Sequence, residues 1–192
     1  QAALKHFGRI DVLFNNAVYQ GTGNIEALLD VAEEQLWAIY QGNIFTPLAL
    51  VKAIVPGMIE RESGTVLNMV SHSAFTDPPA AANAGGWGFA YPSSKAALAR
   101  MGASLRAEHP GKGLRVFNLE PGLVMTDVMR LAGIDDAVMA RFKPCSPAAI
   151  AAVVSWLVDN EPPQDWNPQT VLRGPAIAKE LKLLQSPSLL DT

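Results

Sequence analysis

Short apolar runs alternate along this chain with longer helical patterns, and this alternation restricts the fold more than any other feature. The apolar runs RIDVLFNNA (9–17), GTVLNMV (64–70) and LRVFNLEPG (114–122) predict three strands, and QTVLR (169–173) predicts a fourth. Strands separated by helices pair in parallel, and continuous apolar strands are buried on both faces. The sequence therefore predicts an α/β fold built on a doubly wound parallel sheet.

Four helical patterns surround these strands. They cover residues 1–8, 30–61, 91–108 and 147–160. The first is expected to end at Gly8, which tolerates the positive φ of a C-cap. Asp30 and Glu33 have the spacing of a capping box, which predicts the start of the second helix. Ser146 is the expected N-cap of the fourth, with Pro147 at its first position.

Composition narrows the class of protein. Of 192 residues, 49% are hydrophobic and 17% are charged, which predicts a core-rich single domain over residues 1–192. The net charge of −3 argues against a nucleic-acid partner. The single Cys145 cannot form an internal disulfide, and a cytoplasmic location is expected. The apolar stretch AAIAAVVSWLV (148–158) is too short to span a bilayer, so no membrane partner is expected.

Tyr91 and Lys95 are four residues apart in AYPSSKAAL (90–98), so they share one face of a helix. An unperturbed phenol has a pKa of about 10, and a nearby ammonium group lowers it by favouring the phenolate. Pro92 marks a first helical turn, where the helix dipole also favours negative charge. The pair is thus either a proton donor with its cation or an ordinary solvated polar face, because this spacing alone is common.

Other polar residues follow the predicted strands. Ser71 ends the second strand, where its hydroxyl either polarises a substrate carbonyl or caps its own backbone. Pro121 and Gly122 end the third strand in a turn that allows close approach of backbone to a ligand, or simply an exit turn. Because ligands of such sheets bind beyond the carboxyl ends of the strands, a site is expected here.

Asn43 lies within the second helical pattern, next to Gly42, and both residue types are unfavourable there. Pro47 has no N–H, so the carbonyl of Asn43 lacks its usual partner four residues later. The sequence predicts a kink at Asn43 with a carbonyl free for water or a ligand, or a kink that serves packing alone.

Together these motifs resemble the short-chain dehydrogenase/reductase family, Rossmann-fold enzymes that use NAD or NADP. The matching segments are NNAV (15–18) to the family's N-N-A-G, LNMVS (67–71) to V-N-I-S-S, YPSSK (91–95) to Y-x-x-x-K, and EPGLVMT (120–126) to P-G-x-[IV]-x-T. The resemblance extends to about residue 160, which leaves residues 161–192 as a divergent tail.

The resemblance implies an oxidoreductase that transfers a hydride between NAD or NADP and an alcohol or carbonyl substrate. It implies that Tyr91 is the general acid and base and that Ser71 holds the substrate oxygen. Lys95 is then expected to lower the pKa of Tyr91 and to bind the nicotinamide ribose. Asn43 is expected to hold a water connected to Lys95.

The resemblance also implies a set of cofactor contacts. They are Asn15, Ala17, Tyr91, Lys95, Pro121, Gly122, Val124 and Thr126. The expected substrate is a small, apolar alcohol or carbonyl compound, and no metal site is expected. By analogy with family members, a homodimer or homotetramer would form through the helices 30–61 and 91–108.

Some positions depart from the family pattern. Val18 replaces a glycine, and Ser71 and Tyr91 are farther apart than usual. The excess residues predict a long loop, in which Trp87 and Phe89 either contact substrate or pack on each other. Ser73 is an alternative to Ser71, the less favoured of the two.

Several further residues have no assigned role. His72 and Cys145 are interpreted as bystanders. Met125, Met129 and Met139 form either an adaptable apolar wall of the substrate site or part of the core.

The family's first three strands and its T-G-x-x-x-G-x-G turn have no counterpart here. The predicted three-layer αβα sheet is therefore incomplete, lacking those strands, and the strand within residues 9–17 becomes an exposed edge. Because that glycine-rich turn holds the cofactor pyrophosphate, this chain alone is expected to bind dinucleotide poorly. Two alternatives stay open: a non-catalytic remnant or interaction module, and a dehydratase or epimerase using the same Tyr91 and Lys95.

Overall fold

The computed structural model describes residues 2–126, 144–167 and 171–183. In chain order the elements are α1 (Ala2–Phe7), β1 (Val12–Asn15), α2 (Glu33–Tyr40), a π-helical turn (Gln41–Phe45), α3 (Thr46–Glu60), β2 (Gly64–Met69), α4 (Ala90–Glu108), β3 (Leu114–Glu120), α5 (Pro147–Asp159), β4 (Leu172–Arg173) and α6 (Gly174–Glu180). Helices separate the strands, as the sequence predicts.

The described strands form one sheet in the order β1-β2-β3-β4, and each neighbouring pair is parallel. Residues at equivalent positions are aligned across it: Leu13 lies opposite Val66, and Val66 lies opposite Val116. Strand β1 is at the edge of this sheet, and Phe14 within it is 37% exposed. The predicted parallel sheet with an apolar edge strand is confirmed.

Both faces of the sheet are covered. Because successive side chains of a strand point to opposite faces, Val66 packs with Val55 and Met58 of α3, whereas Leu67 packs with Val153 of α5. Helices α3 and α4 thus cover one face, and α5 and α6 cover the other. This confirms the doubly wound, three-layer α/β fold.

The start of the second helix was predicted wrongly. Helix α2 begins at Glu33, and its N-cap is Ala32, whose N–H donates to Oε1 of Gln35 at 3.0 Å. The N–H of Asp30 instead bonds the carbonyl of Ala27 in a preceding turn. Because the chain turns there, Asp30 cannot act as the cap, and the expected capping box with Glu33 does not form.

The other predicted helix ends are confirmed. Gly8 has φ +78° after α1, and the Ser146 hydroxyl accepts the N–H of Ala149 at 3.1 Å, with Pro147 first in α5. Strand β4 is short, and residues 169 and 170 of its predicted range lie outside the described part of the chain.

The run from Glu33 to Glu60 is long and apolar enough to cross a membrane by length and composition alone. One side of it, however, buries Val51, Val55 and Met58 in the core shared with β2. We therefore interpret it as a core-facing helical segment of the α/β fold.

Candidate active site

An open cavity of about 880 Å³ lies at the carboxyl ends of β1, β2 and β3. Residues from all three strand ends, from α4 and from α5 line it. The polar members of its wall include Asn16, Ser71, Ser73, Tyr91, Lys95 and Thr126. This is the edge where a parallel sheet is expected to place a ligand.

Tyr91 and Lys95 lie on one face of the first turns of α4. The Lys95 Nζ atom is 5.8 Å from the centroid of the Tyr91 ring, which confirms the predicted shared face. Nζ also donates a hydrogen bond of 2.8 Å to the main-chain oxygen of Met69, at the end of β2. That bond joins the start of α4 to the end of β2 and holds Lys95 in the cavity wall.

Lys95 is only 3% exposed. Burial lowers the pKa of its ammonium from 10.5 to about 8, because the charged form is poorly solvated there. An ammonium group has three donors, and within the described residues only the Met69 carbonyl accepts one of them. Among the described residues, the other two donors of the buried Lys95 ammonium group are therefore available to acceptor oxygens of a ligand in the cavity.

Burial raises the pKa of Tyr91 above its ordinary value, and a hydrogen bond from Ser71 partly opposes that rise. The cause of the rise is desolvation, because burial disfavours the charged phenolate as it disfavours the Lys95 ammonium group. The expectation that Lys95 lowers the pKa of Tyr91 stays a prediction.

Ser71 and Ser73 place two hydroxyl groups on the same wall of the cavity. Their Oγ atoms are 3.0 Å apart. Ser71 is in extended backbone and precedes a short 3₁₀ turn, His72–Ala74, that contains Ser73. Both serines considered for the substrate oxygen therefore line the cavity together with Tyr91.

Asn43 lies in the π-helical turn, and the predicted irregularity of this helix is confirmed. Its side chain is 2% exposed and lies behind the cavity wall rather than on it. The side-chain oxygen accepts the N–H of Tyr19 at 2.7 Å, and Nδ2 donates to the Ser94 hydroxyl at 3.2 Å. Ser94 in turn donates to the main-chain oxygen of Tyr91 at 2.7 Å. Asn43 thereby links the segment after β1 to the turn that carries Tyr91.

Asn15 belongs to a buried asparagine ladder (Asn15, Asn68 and Asn118) that crosses three strands in register. Asn15 donates to Asn68 at 2.8 Å, Asn68 donates to Asn118 at 3.1 Å, and Asn118 donates to the carbonyl of Ala99 at 3.0 Å. This ladder was not predicted from the sequence. Its signal is one asparagine inside each apolar strand, because a buried amide requires a partner.

Most predicted cofactor contacts line the cavity. They are Tyr91, Lys95, Pro121, Gly122, Val124 and Thr126. Near Asn15 and Ala17 the wall is formed by their neighbours Asn16 and Val18, so contacts of Asn15 and Ala17 with a cofactor stay predictions.

Residues of the predicted substrate region have different positions. Trp87 lines the cavity, whereas Phe89 is 43% exposed and is not part of the wall. Met125 is buried, and Met129 and Met139 lie outside the described residues.

One face of α5 forms a part of the cavity wall that was not predicted from the sequence. Its members are Pro147, Ile150, Ala151, Val154 and Ser155. Their spacing of three and four residues is the signal of a single helix face. Among the described residues of the whole wall, Lys95 alone carries a full charge at neutral pH.

Two features of the cavity wall match the requirements of a nicotinamide cofactor. The free donors of Lys95 suit the hydroxyls of a ribose, and Gly122, with φ +69°, allows backbone to approach a ligand closely. Lys95 is the sole cationic side chain among the described wall residues, so these residues fit the nicotinamide-ribose end rather than the pyrophosphate.

Known proteins share both sequence and fold with this chain. The sequence profile of the short chain dehydrogenase family matches residues 1–136. A short chain dehydrogenase of Pseudocercospora fijiensis is 35% identical over 133 residues, which cover 68% of this chain and 39% of that protein.

Two solved structures show the fold alone, given their low identity. A variant of ElxO with NADPH bound matches with a TM-score of 0.71 at 20% identity, over 90% of this chain and 68% of that one. An NAD⁺-bound xylitol dehydrogenase matches with a TM-score of 0.67 at 24% identity, over 83% of this chain and 66% of that one.

A parallel, doubly wound sheet with a cavity at its carboxyl edge defines the class as Rossmann-like α/β proteins. Within that class, the chain belongs to the short chain dehydrogenase family. It spans 39% to 50% of the length of the first three curated relatives that it matches.

Proposed function

We propose that the protein containing this chain is an NAD- or NADP-dependent oxidoreductase that interconverts an alcohol and a carbonyl compound. The observation that carries the proposal is the convergence of the Ser71 and Tyr91 hydroxyls and the Lys95 ammonium group on one cavity wall. Family membership and the cofactors of two similar structures support a nicotinamide as the group that supplies or accepts the hydride.

In the reducing direction, the hydroxyls of Ser71 and Tyr91 donate hydrogen bonds to the carbonyl oxygen, and Tyr91 transfers its proton to that oxygen. In the oxidising direction, the Tyr91 phenolate accepts the proton of the alcohol. Ser71 holds the oxygen in both directions by donating its hydroxyl proton in a hydrogen bond, because the single proton of the alcohol passes to Tyr91.

Lys95 provides the charge that this proton transfer needs. Acceptor oxygens next to its two free donors favour the ammonium form and raise its pKa above 8. A charged Lys95 close to the Tyr91 ring then favours the phenolate. Ribose hydroxyls of a bound cofactor are the acceptors that we assign to this position.

We further propose a neutral, apolar substrate. Trp87, Leu123 and Val154 contribute apolar surface to the described wall, and its one full charge belongs to Lys95. A substrate carboxylate or phosphate would therefore lack an additional cationic partner there, and burying an unpaired charge is costly.

Turnover by the complete protein tests this function. NADH and NADPH are each offered with neutral ketones and with keto acids of matched size, and cofactor oxidation is followed. We expect turnover of the neutral ketones. Absence of turnover with either cofactor would favour the alternative of a non-catalytic remnant or interaction module. Substrate conversion without net cofactor oxidation would identify a dehydratase or epimerase.

We also propose that copies of the protein associate through an aromatic patch formed by Trp37 and Phe45. These side chains are 56% and 41% exposed, and their rings are stacked with centroids 6.3 Å apart. An exposed cluster of large apolar residues along one helical segment is typical of a protein–protein contact. The proposed partner is a second copy, giving a homodimer or homotetramer.

A further inference from the structure

The Ser71 hydroxyl has two hydroxyl neighbours. It interacts with the side chain of Tyr91, which lowers the pKa of that phenol, and its oxygen lies 3.0 Å from the Ser73 oxygen. A serine hydroxyl has one proton to donate and two lone pairs that accept. The direction of each bond around Ser71 is therefore linked to the direction of the others.

The proton of Ser71 is committed in both forms of Tyr91 that the proposed reaction uses. When Tyr91 is a phenolate and no substrate is bound, Ser71 donates to it, because a phenolate oxygen only accepts. When Tyr91 is a phenol and a carbonyl substrate is bound, Ser71 donates to the substrate oxygen. In either case Ser71 has no proton left for Ser73, so Ser73 must be the donor of the bond between them.

We propose that Ser73 is a positioning residue, whose hydroxyl donates to Ser71 and thereby fixes the direction in which Ser71 donates. This assignment rests on the proposed function. A hydroxyl that accepts one hydrogen bond is also a stronger donor of the next, so the Ser73 bond strengthens that from Ser71.

The backbone keeps Ser73 in place for this role. The N–H of Ala74 bonds the carbonyl of Ser71 at 3.1 Å, and the N–H of Phe75 bonds the carbonyl of His72 at 3.0 Å. The hydroxyl of Thr76 adds a bond of 3.2 Å to the same His72 carbonyl. These bonds set the turn that brings two serines, separated by one residue, to the same side.

The first test needs no turnover. The chain has three tyrosines, so ¹³Cζ-labelled tyrosine gives three signals, and Tyr91→Phe identifies that of Tyr91. We expect Ser73→Ala to raise the pKa of Tyr91 by a few tenths to about one pH unit, because the phenolate loses stabilisation through Ser71. Ser73→Thr keeps the hydroxyl and should leave the pKa near that of the parent chain.

A double-variant cycle separates an effect through Ser71 from an independent one. In a Ser71→Ala background, adding Ser73→Ala should leave the Tyr91 pKa unchanged. An equal pKa rise in both backgrounds, or none in either, would overturn the proposal. Because this titration is independent of turnover, it gives an answer even if the complete protein proves to be inactive.

Kinetics of the complete protein provide the second test. Ser73→Ala should lower kcat by about 2- to 10-fold, the rate equivalent of one neutral hydrogen bond, with KM nearly unchanged. Ser73→Thr should restore kcat. A rise in KM that persists in the Ser71→Ala background would show instead that Ser73 contacts substrate directly, and would contradict the positioning role.

Discussion

The Lys95 ammonium nitrogen lies 2.8 Å from the main-chain oxygen of Met69, a contact between helix α4 and the end of strand β2. It places a nearly fully buried cation beside the hydroxyls of Ser71 and Tyr91. The contact holds Lys95 in the site, but one hydrogen bond does not replace the water that solvates an exposed ammonium group. Burial therefore lowers the pKa of Lys95 to about 8.

Lys95 makes the stability of the chain depend on pH. Between pH 8 and 10.5 the unfolded chain binds a proton that folded Lys95 has released, so stability rises with pH across this window. Below pH 8 the cost of charging the buried lysine is complete, about 3 kcal/mol.

The neutral variant Lys95→Met isolates this effect from other titrations. From pH 7 to about 9.5, the unfolding free energy of the parent should rise by about 2 kcal/mol relative to Lys95→Met. Urea denaturation of both proteins at the two pH values measures the difference. A constant difference would show that the folded lysine retains its ordinary pKa.

Gly102 of α4 packs directly on the asparagine ladder. A Cβ atom there would lie 2.5 Å from Oδ1 of Asn118 and 2.8 Å from Nδ2 of Asn68. Gly102→Ala should destabilise the fold by about 1–3 kcal/mol, although alanine is the better helix former.

Gly57 of α3 is the matched control, because its Cβ would meet only the Arg61 side chain at 3.6 Å. Gly57→Ala should stabilise the chain by up to about 1 kcal/mol. Thermal or urea unfolding measures both variants. Equal signs for the two substitutions would contradict the tight packing of α4 on the ladder.

Asn43 is expected to contribute to stability through its two side-chain hydrogen bonds. Asn43→Ala leaves the Tyr19 N–H and the Ser94 hydroxyl without this partner and should cost about 1–3 kcal/mol. Hydrogen exchange at the Tyr19 amide should also accelerate. Asn160→Ala removes an exposed bond to the Trp156 carbonyl and should cost less than about 1 kcal/mol. Similar costs for both variants would argue against the bridging role of Asn43.

Local sequence rules predicted much of this fold, because the strands are apolar segments and helix ends are marked by capping residues. The Ser146 cap and the Gly8 turn depend only on nearby residues, and both are present. Asp30 has the spacing of an N-cap, but its N–H donates to the carbonyl of Ala27 in a turn that precedes the helix. A rule based on residue spacing alone does not predict which of two neighbouring turns forms.

The site was predictable where motif and topology agree, as for Ser71, Tyr91 and Lys95 at one cavity. The partners of Asn43 could not be predicted, because Tyr19 and Ser94 are distant from it in sequence. The pKa of Tyr91 depends on its burial and on its interaction with Ser71, which only the packed structure reveals.

The proposed self-association predicts that a charge on the aromatic patch of Trp37 and Phe45 disrupts assembly. Trp37→Glu should lower the weight-average mass in analytical ultracentrifugation to that of a monomer. Phe7→Glu changes another exposed aromatic residue, on α1, and should leave the mass unchanged. A monomeric parent protein, or an unaffected Trp37→Glu variant, would refute this interface.

The role of Tyr91 is the centre of the proposed function, and Tyr91→Phe removes only its hydroxyl. The decisive measurement is kcat/KM for reduction of a neutral ketone by the complete protein, together with its dinucleotide affinity, for parent and variant. We predict that kcat/KM falls by roughly 10²- to 10⁴-fold while dinucleotide affinity changes little. Turnover by Tyr91→Phe at the rate of the parent protein would contradict the account.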